Sequence, residues 1–388
     1  MKKPEILAPC STPESVTAAL NAGCDAIYIG GSAFGARAYA ENPSDDTLHE
    51  IIKTCVLRGV KVFITLNTLY KENEIQKVLD FVEKVYSYGA YGLIVQDLGM
   101  VNLIKKYYPN IRISASTQMT VHNSEAIDML TEMGCSRIVL ARELGQKEIT
   151  DICSKKGNTE IEGFIHGALC VCYSGRCLMS SIIGQRSGNR GRCAQPCRME
   201  YSLLKDDKTL KSGYLLSPKD ISTAEILDKV LATGVDSLKI EGRMKSPEYV
   251  AGVTRIYRKY IDLYFENPEE YKVDPADIKA LQQLFNRGGF TEGYYTSFAG
   301  REMMSIERPK SWGLKVGIVD KYLPKYKKVT IRTREPLVPG DGLEIWTQTE
   351  PHVGTNVSKH SKAGEVITIT LEGDINKNDV VYRTFGKA

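Results

Sequence analysis

Five of the ten cysteines crowd into residues 170–197, namely Cys170, Cys172, Cys177, Cys193 and Cys197. Thiolates brought together in this way are soft metal ligands. Cys170 and Cys177 have six residues between them, and Cys193 and Cys197 have three. Structural zinc usually takes two tight Cys-x-x-Cys pairs, and none occurs here. Irregular spacing in a Gly-rich loop suits a [4Fe–4S] cluster, whose thiolates reach separate irons. Cys170, Cys177, Cys193 and Cys197 are the expected ligands, with Cys172 in reserve. A zinc site and a set of reduced, metal-free thiols are the competing readings.

The same stretch is basic. Arg176, Arg190, Arg192 and Arg198 flank the thiols, and Arg186 lies close by. Guanidinium groups balance an anionic thiolate site, and any surplus suits phosphate. These four arginines are the expected RNA contacts. The chain's net charge of +4 is too small to imply nucleic acid by itself. The scattered cysteines, Cys10, Cys24, Cys55, Cys135 and Cys153, read as small packing residues. No apolar signal segment follows Met1-Lys2-Lys3, and no run is apolar enough to span a membrane. A cytoplasmic protein without a membrane partner is expected.

The elements that must position these residues alternate regularly. Short apolar runs occur at residues 6–8, 26–30, 62–67, 92–96, 113–116, 137–141, 161–166 and 237–241, with helical patterns such as 12–22 and 74–88 between most of them. Eight buried strands separated by helices predict an α/β fold of the (β/α)8, TIM-like class. Residues 1–270 form that catalytic barrel, with a Cys-rich insertion at 169–222 after strand 7. Residues 271–311 read as a linker with a short helix. Residues 312–388 carry short strands separated by Gly and Pro turns, which predicts a small β-barrel domain.

These residues also carry a family resemblance. Glu162-x-Phe164-x-x-Gly167-Ala168-Leu169-Cys170, Gly175-Arg176-Cys177-Leu178-Met179-Ser180 and Lys239-Ile240-Glu241-Gly242-Arg243 resemble the peptidase U32 family. Further shared stretches lie at 30–37, 65–68, 93–97, 115–118, 138–144 and 189–193, and they resemble the family's RNA-hydroxylating branch. The resemblance implies a [4Fe–4S] enzyme that places a hydroxyl on C5 of an RNA pyrimidine. Relatives act on a 23S rRNA cytidine, on the tRNA wobble uridine or on a quinone precursor. Prephenate is implicated as a co-substrate in the RNA-acting members. The family's ligand pattern falls on Cys170, Cys177 and Cys193, with Cys197 as the fourth because no cysteine follows it. The rRNA-acting members continue beyond the point matching Ala388, which leaves rRNA and tRNA both open.

A barrel places its chemistry at the C-terminal ends of its strands. His166, Glu241 and Arg243 are the candidate catalytic residues there. Arg37, Asn67, Gln96, Gln118, Arg142 and Lys239 are the candidate substrate-binding residues. Arg37, Arg142 and Arg243 have the guanidinium forks that would hold a small dicarboxylate such as prephenate. C5 of a pyrimidine is inaccessible in a stacked helix, so the base must be unstacked, with Tyr28, Phe34, Tyr39 or Tyr173 as stacking partners. A peptidase is the rival reading. The chain has no His-Glu-x-x-His helix and no Gly-x-Ser-x-Gly elbow, which leaves only a Cys170–His166 pair for it. A non-catalytic RNA-binding module built on residues 312–388 is the third reading.

Overall fold

A computed structural model describes residues 2–31, 34–35, 42–296 and 300–386. The chain divides into two compact units. One holds residues 1–273 and 290–306, and the other holds 274–289 and 307–388. The segment read as a linker is thus shared between them.

The first unit begins with β1 (Glu5–Pro9), α1 (Pro13–Asn21), β2 (Ala26–Ile29), α2 (Asp45–Leu57), β3 (Lys61–Leu66), α3 (Ile75–Ser87) and β4 (Gly92–Val95). It continues with α4 (Leu98–Tyr107), β5 (Arg112–Ala115), α5 (Ser124–Glu132), β6 (Arg137–Val139), α6 (Gln146–Lys155) and β7 (Glu160–Ala168). The insertion then contributes α7 (Met179–Gly184), β8 (Tyr201–Lys205), β9 (Lys208–Gly213) and β10 (Asp220–Ser222). After α8 (Leu227–Ala232), β11 (Ser237–Ile240) is the eighth parallel strand, and α9 (Pro247–Glu266) follows it. β11 pairs with both β1 and β7, which closes the ring. All eight strands expected from the apolar runs form this barrel. Helix starts follow local chemistry. Thr12 caps α1 by accepting from the Ser15 N–H, with Pro13 in the first turn.

The barrel interior mixes apolar and charged layers. Leu7, Tyr28, Phe63 and Ile94 pack together inside it. Near the N-terminal end, Arg137 is 2% exposed and binds Glu5, Glu160 and Glu162. Lys239 Nζ meets the second oxygen of Glu162 at 2.9 Å. Burial alone would raise the Glu5 carboxyl, but Arg137 and Lys61 outweigh it and hold it below its ordinary value.

Two features of the insertion were not expected. α7 is a short helix, and β8 and β9 form a separate antiparallel hairpin. Asp206 and Asp207 at its turn both have positive φ, 49° and 58°, the requirement of a two-residue hairpin turn. β10 runs antiparallel to the end of β7 and pairs with β12 (Phe290–Thr291).

The second unit contains α10 (Pro275–Leu284), β13 (Leu314–Leu323), β14 (Lys328–Thr333), β15 (Gly342–Trp346), β16 (Val353–Asn356), β17 (Val366–Thr370) and β18 (Val380–Phe385). Its strands form one antiparallel sheet in the order β16-β15-β18-β13-β14-β17. Val316, Val319, Val329, Ile331, Ile345 and Val381 are fully buried at its core. The expected small barrel is this six-stranded sheet, and β16 is the strand that the sequence pattern missed.

Candidate active site at the barrel mouth

The C-terminal strand ends gather Asn67 after β3, Gln96 after β4, Gln118 after β5, Arg142 and Glu143 after β6, His166 on β7, and Glu241 and Arg243 after β11. Arg243 is 3% exposed. Its guanidinium donates to Thr65 Oγ1 at 3.1 Å and Asn42 Oδ1 at 2.7 Å. The Gly30 backbone lies against it, since a Cβ there would stand 2.2 Å from Nη2. The Tyr28 hydroxyl donates to the Ile240 carbonyl at 2.9 Å and lies 3.4 Å from Glu241 Oε2, and the Glu241 backbone N–H donates to the His166 carbonyl. Gln96 Oε1, Gln118 Oε1 and Arg142 Nε are buried without a hydrogen-bond partner.

The insertion is anchored over this mouth at three places. At the β3 end, Arg190 makes a two-pronged bond to Glu74, 2.6 and 2.7 Å, and also binds the Leu69 carbonyl. Beside β5 and β6, the Thr120 hydroxyl donates to the Ser174 carbonyl at 2.6 Å, and Glu143 Oε1 accepts from the Ser174 N–H and hydroxyl, both at 3.2 Å. Arg176 Nε adds a bond to Thr120. At the β7 end, Arg198 donates to the Leu169 carbonyl, Ser217 Oγ and the Pro218 carbonyl. The loop therefore crosses from β7 over β5 and β6 to β3.

The thiols ride on this arch, and none is in a disulfide. Cys170 and Cys193 are exposed, and Cys172, Cys177 and Cys197 are half-buried. Burial pushes the Cys197 and Cys172 thiols up, and neighbouring thiols add to it: Cys170, Cys193 and Cys177 for Cys197, and Cys177 and Cys170 for Cys172. Cys170, Cys177 and Cys193 thus lie within electrostatic reach of Cys197, and Cys170 and Cys177 within reach of Cys172. Among the described residues no three Cys, His, Asp or Glu side chains surround a point where one metal ion would sit. A cubane needs a wider set of donors than one ion does. A loop of soft thiols with five arginines and no carboxylate between residues 170 and 198 fits such a cluster in donor type and charge.

His166 is 0% exposed. Its Nδ1 pairs with the Tyr257 hydroxyl at 3.3 Å, and the rings of Tyr249, Tyr257 and Phe290 surround it. Burial, helped by Lys245, lowers its pKa to about 3, so the ring is neutral at physiological pH.

The other expected residues divide clearly. Lys239 does not reach the rim: it lies inside the barrel, 4.5 Å above the Tyr28 ring and paired with Glu162. Arg190 and Arg198 are occupied in anchoring the arch, whereas Arg176 and Arg192 are exposed. Asn67 is half-buried at the end of β3. Arg142 donates to the Ala168 carbonyl and stacks over Phe164. Arg37 and Tyr39 lie outside the described residues. Tyr28 is core, and Tyr173 is 60% exposed. Sequence reasoning missed Thr120, Ser174 and the grip of Glu143. The one local signal was Gly175 at φ 77°, wedged against the Gln118 backbone. Among the described residues no helix is long and apolar enough to cross a membrane.

Three relatives are similar over most of this chain. A tRNA hydroxylation protein P1 of Bacillus subtilis is 34% identical over 89% of the chain and 84% of its own length. The 23S rRNA 5-hydroxycytidine C2501 synthase of Escherichia coli is 36% identical over 93% of the chain, which spans 55% of that protein. A collagenase of Porphyromonas gingivalis is 33% identical, covering 98% of this chain and 97% of its own. The signature of peptidase family U32 matches residues 11–305, which take in the barrel from α1 onward and its insertion. The chain therefore belongs to peptidase family U32.

Proposed function

We propose that this protein is an iron–sulfur enzyme that hydroxylates C5 of a pyrimidine in RNA. The observation that carries the reading is the arch of thiols anchored over a barrel mouth lined with Gln96, Gln118, Arg142, Glu241 and Arg243. Cys170, Cys177, Cys193 and Cys197 would hold a [4Fe–4S] cluster, which supplies one-electron redox chemistry when bound. An unstacked base reaching this mouth would meet the buried amide oxygens of Gln96 and Gln118, which suit the donor groups of a pyrimidine edge. Arg142 and Arg243 suit the carboxylates of a co-substrate such as prephenate, and Thr65 and Asn42 hold the Arg243 fork in place. The insertion covers the mouth and limits the access of water to the reacting carbon.

A cytidine of 23S rRNA is the first substrate to test, by kinship to the Escherichia coli synthase. The tRNA wobble uridine is the second, favoured by the match to 84% of the Bacillus subtilis tRNA hydroxylation protein. The peptidase of the family name would need a Cys–His pair, whereas the hydrogen-bond partner of His166 is Tyr257. The test is mass spectrometry of rRNA and tRNA nucleosides from a deletion strain. Loss of a 5-hydroxypyrimidine from one of them is expected, restored by the wild-type gene and not by Cys193→Ala. If every such mark survives the deletion, the reading is wrong.

A further inference from the structure

One strongly basic segment of the chain lies beside the thiols. Residues 170–198 hold five arginines and no acidic residue, and the rest of the chain carries a net −1. Two of the five, Arg190 and Arg198, are engaged in anchoring the arch. Arg186 and Arg192 stand exposed on one knuckle with α7. The knuckle is held together internally: the Ala194 N–H donates to Ser180 Oγ at 2.9 Å, the Arg186 N–H to the Ser180 carbonyl at 3.1 Å, and Arg186 Nε to the Arg192 carbonyl at 3.2 Å. Ile182 and Ile183 project from α7, 78% and 65% exposed. The knuckle ends at Cys193, a proposed cluster ligand.

Two adjacent exposed isoleucines are an apolar surface that a protein seldom shows to water without a use, and two exposed arginines border them. A protein–protein interface is enriched in aromatic residues as well as arginine, and residues 179–194 hold no aromatic side chain. Arginine for phosphate, with aliphatic side chains to pack on or wedge between unstacked bases, is a combination suited to nucleic acid. We propose that α7 and residues 185–194 are the RNA-docking surface of this protein. Arg192 and Arg186 contact phosphate, and Ile182 and Ile183 pack against bases flanking the target. This assignment rests on the RNA reading above and sharpens it: the strand is gripped beside Cys193, so that the target base is presented next to the cluster loop. It also replaces Arg190 and Arg198 as expected RNA contacts.

The test is RNA binding, which needs no turnover. Anaerobically purified full-length protein is titrated with an unmodified tRNA transcript and with a 23S rRNA stem-loop transcript, by fluorescence anisotropy over a range of salt. Arg192→Ala should weaken binding and lower the log–log salt slope by about 0.7–0.9. Ile182→Ser/Ile183→Ser should weaken binding about ten-fold with the salt slope unchanged. Iron content and melting temperature should match the wild type in both variants, which separates docking from folding. Wild-type affinity and slope in both variants would overturn the docking assignment and leave the RNA reading standing. Loss of a co-purifying protein with RNA affinity unchanged would overturn it in favour of a protein interface. Failure of the wild type to bind either transcript would remove the RNA reading itself, and the docking surface with it.

Discussion

Gly175 sits directly on the main chain of Gln118: a Cβ at Gly175 would stand 2.0 Å from the Gln118 carbonyl oxygen. Its φ of 77° lies in the left-handed region, where any other residue costs about 1–2 kcal/mol. Gly175→Ala should therefore lift the arch off β5 while the barrel stays folded. The expected result is iron content reduced by more than half after anaerobic purification, with far-ultraviolet circular dichroism unchanged.

The two neighbouring thiols Cys170 and Cys172 should behave differently. Cys170→Ser is expected to abolish the broad visible absorbance of the proposed cluster and to lower iron and sulfide by half or more. Cys172→Ser should keep both within about a tenth of wild type if Cys172 only packs. Iron and acid-labile sulfide analysis of the two variants decides which thiol is the ligand.

His166 links stability to pH. Its folded pKa is about 3, below the ordinary value of 6.5. Between those values the unfolded chain binds a proton that the folded one refuses, so this residue's contribution to stability is present above about pH 6.5 and is lost as pH falls toward 3. Urea midpoints measured from pH 7 to pH 4 should fall more steeply in the wild type than in His166→Gln. A neutral, enclosed imidazole is also a poor acid near neutrality. The pH–rate profile should show no limb between pH 6 and 8 that disappears in the same variant.

Among the described residues, Arg137 is the only cation that touches Glu5, Glu160 and Glu162 together. Arg137→Met would leave three carboxylates facing one another, with Lys61, Lys239 and Arg112 as their remaining partners among the described residues. Breaking a buried charge network in this way costs about 3–5 kcal/mol. Equilibrium urea unfolding should report that loss. A change under about 1 kcal/mol would mean that the network is dispensable.

Much of this architecture is legible in the sequence, and the exceptions have physical causes. The eight barrel strands are buried on both faces, so each is a short apolar run that stands out. The β8–β9 hairpin is exposed on both faces and interleaves Leu203, Leu204 and Leu210 with Lys205, Lys208 and Lys211, so no buried stripe marks it. Arg137 and Lys239 reside inside the barrel because Glu162 balances them from β7, a pairing between residues 25 and 77 positions apart that local pattern cannot reveal. The thiols announce themselves by crowding. The anchors that suspend them do not: Ser174, Thr120 and Glu74 are ordinary residue types whose role exists only in three dimensions.

The ring of strands has a seam. β11 completes it by pairing Ser237 with Glu5 on one side and with Glu162 on the other. The nearer partner is 75 residues away, with the whole cysteine arch looped out between them. Neighbouring strands elsewhere in the barrel are separated by one helix. Long-range pairing is slow because loop closure must precede its reward. In pulse-labelled hydrogen exchange during refolding, the amides of β11 should therefore be the last in the barrel to gain protection. The newly made chain would pass through an open, seven-stranded form in which the thiols are tethered at one end only. The order of synthesis would thus give whatever loads the proposed cluster a period of access before the barrel shuts.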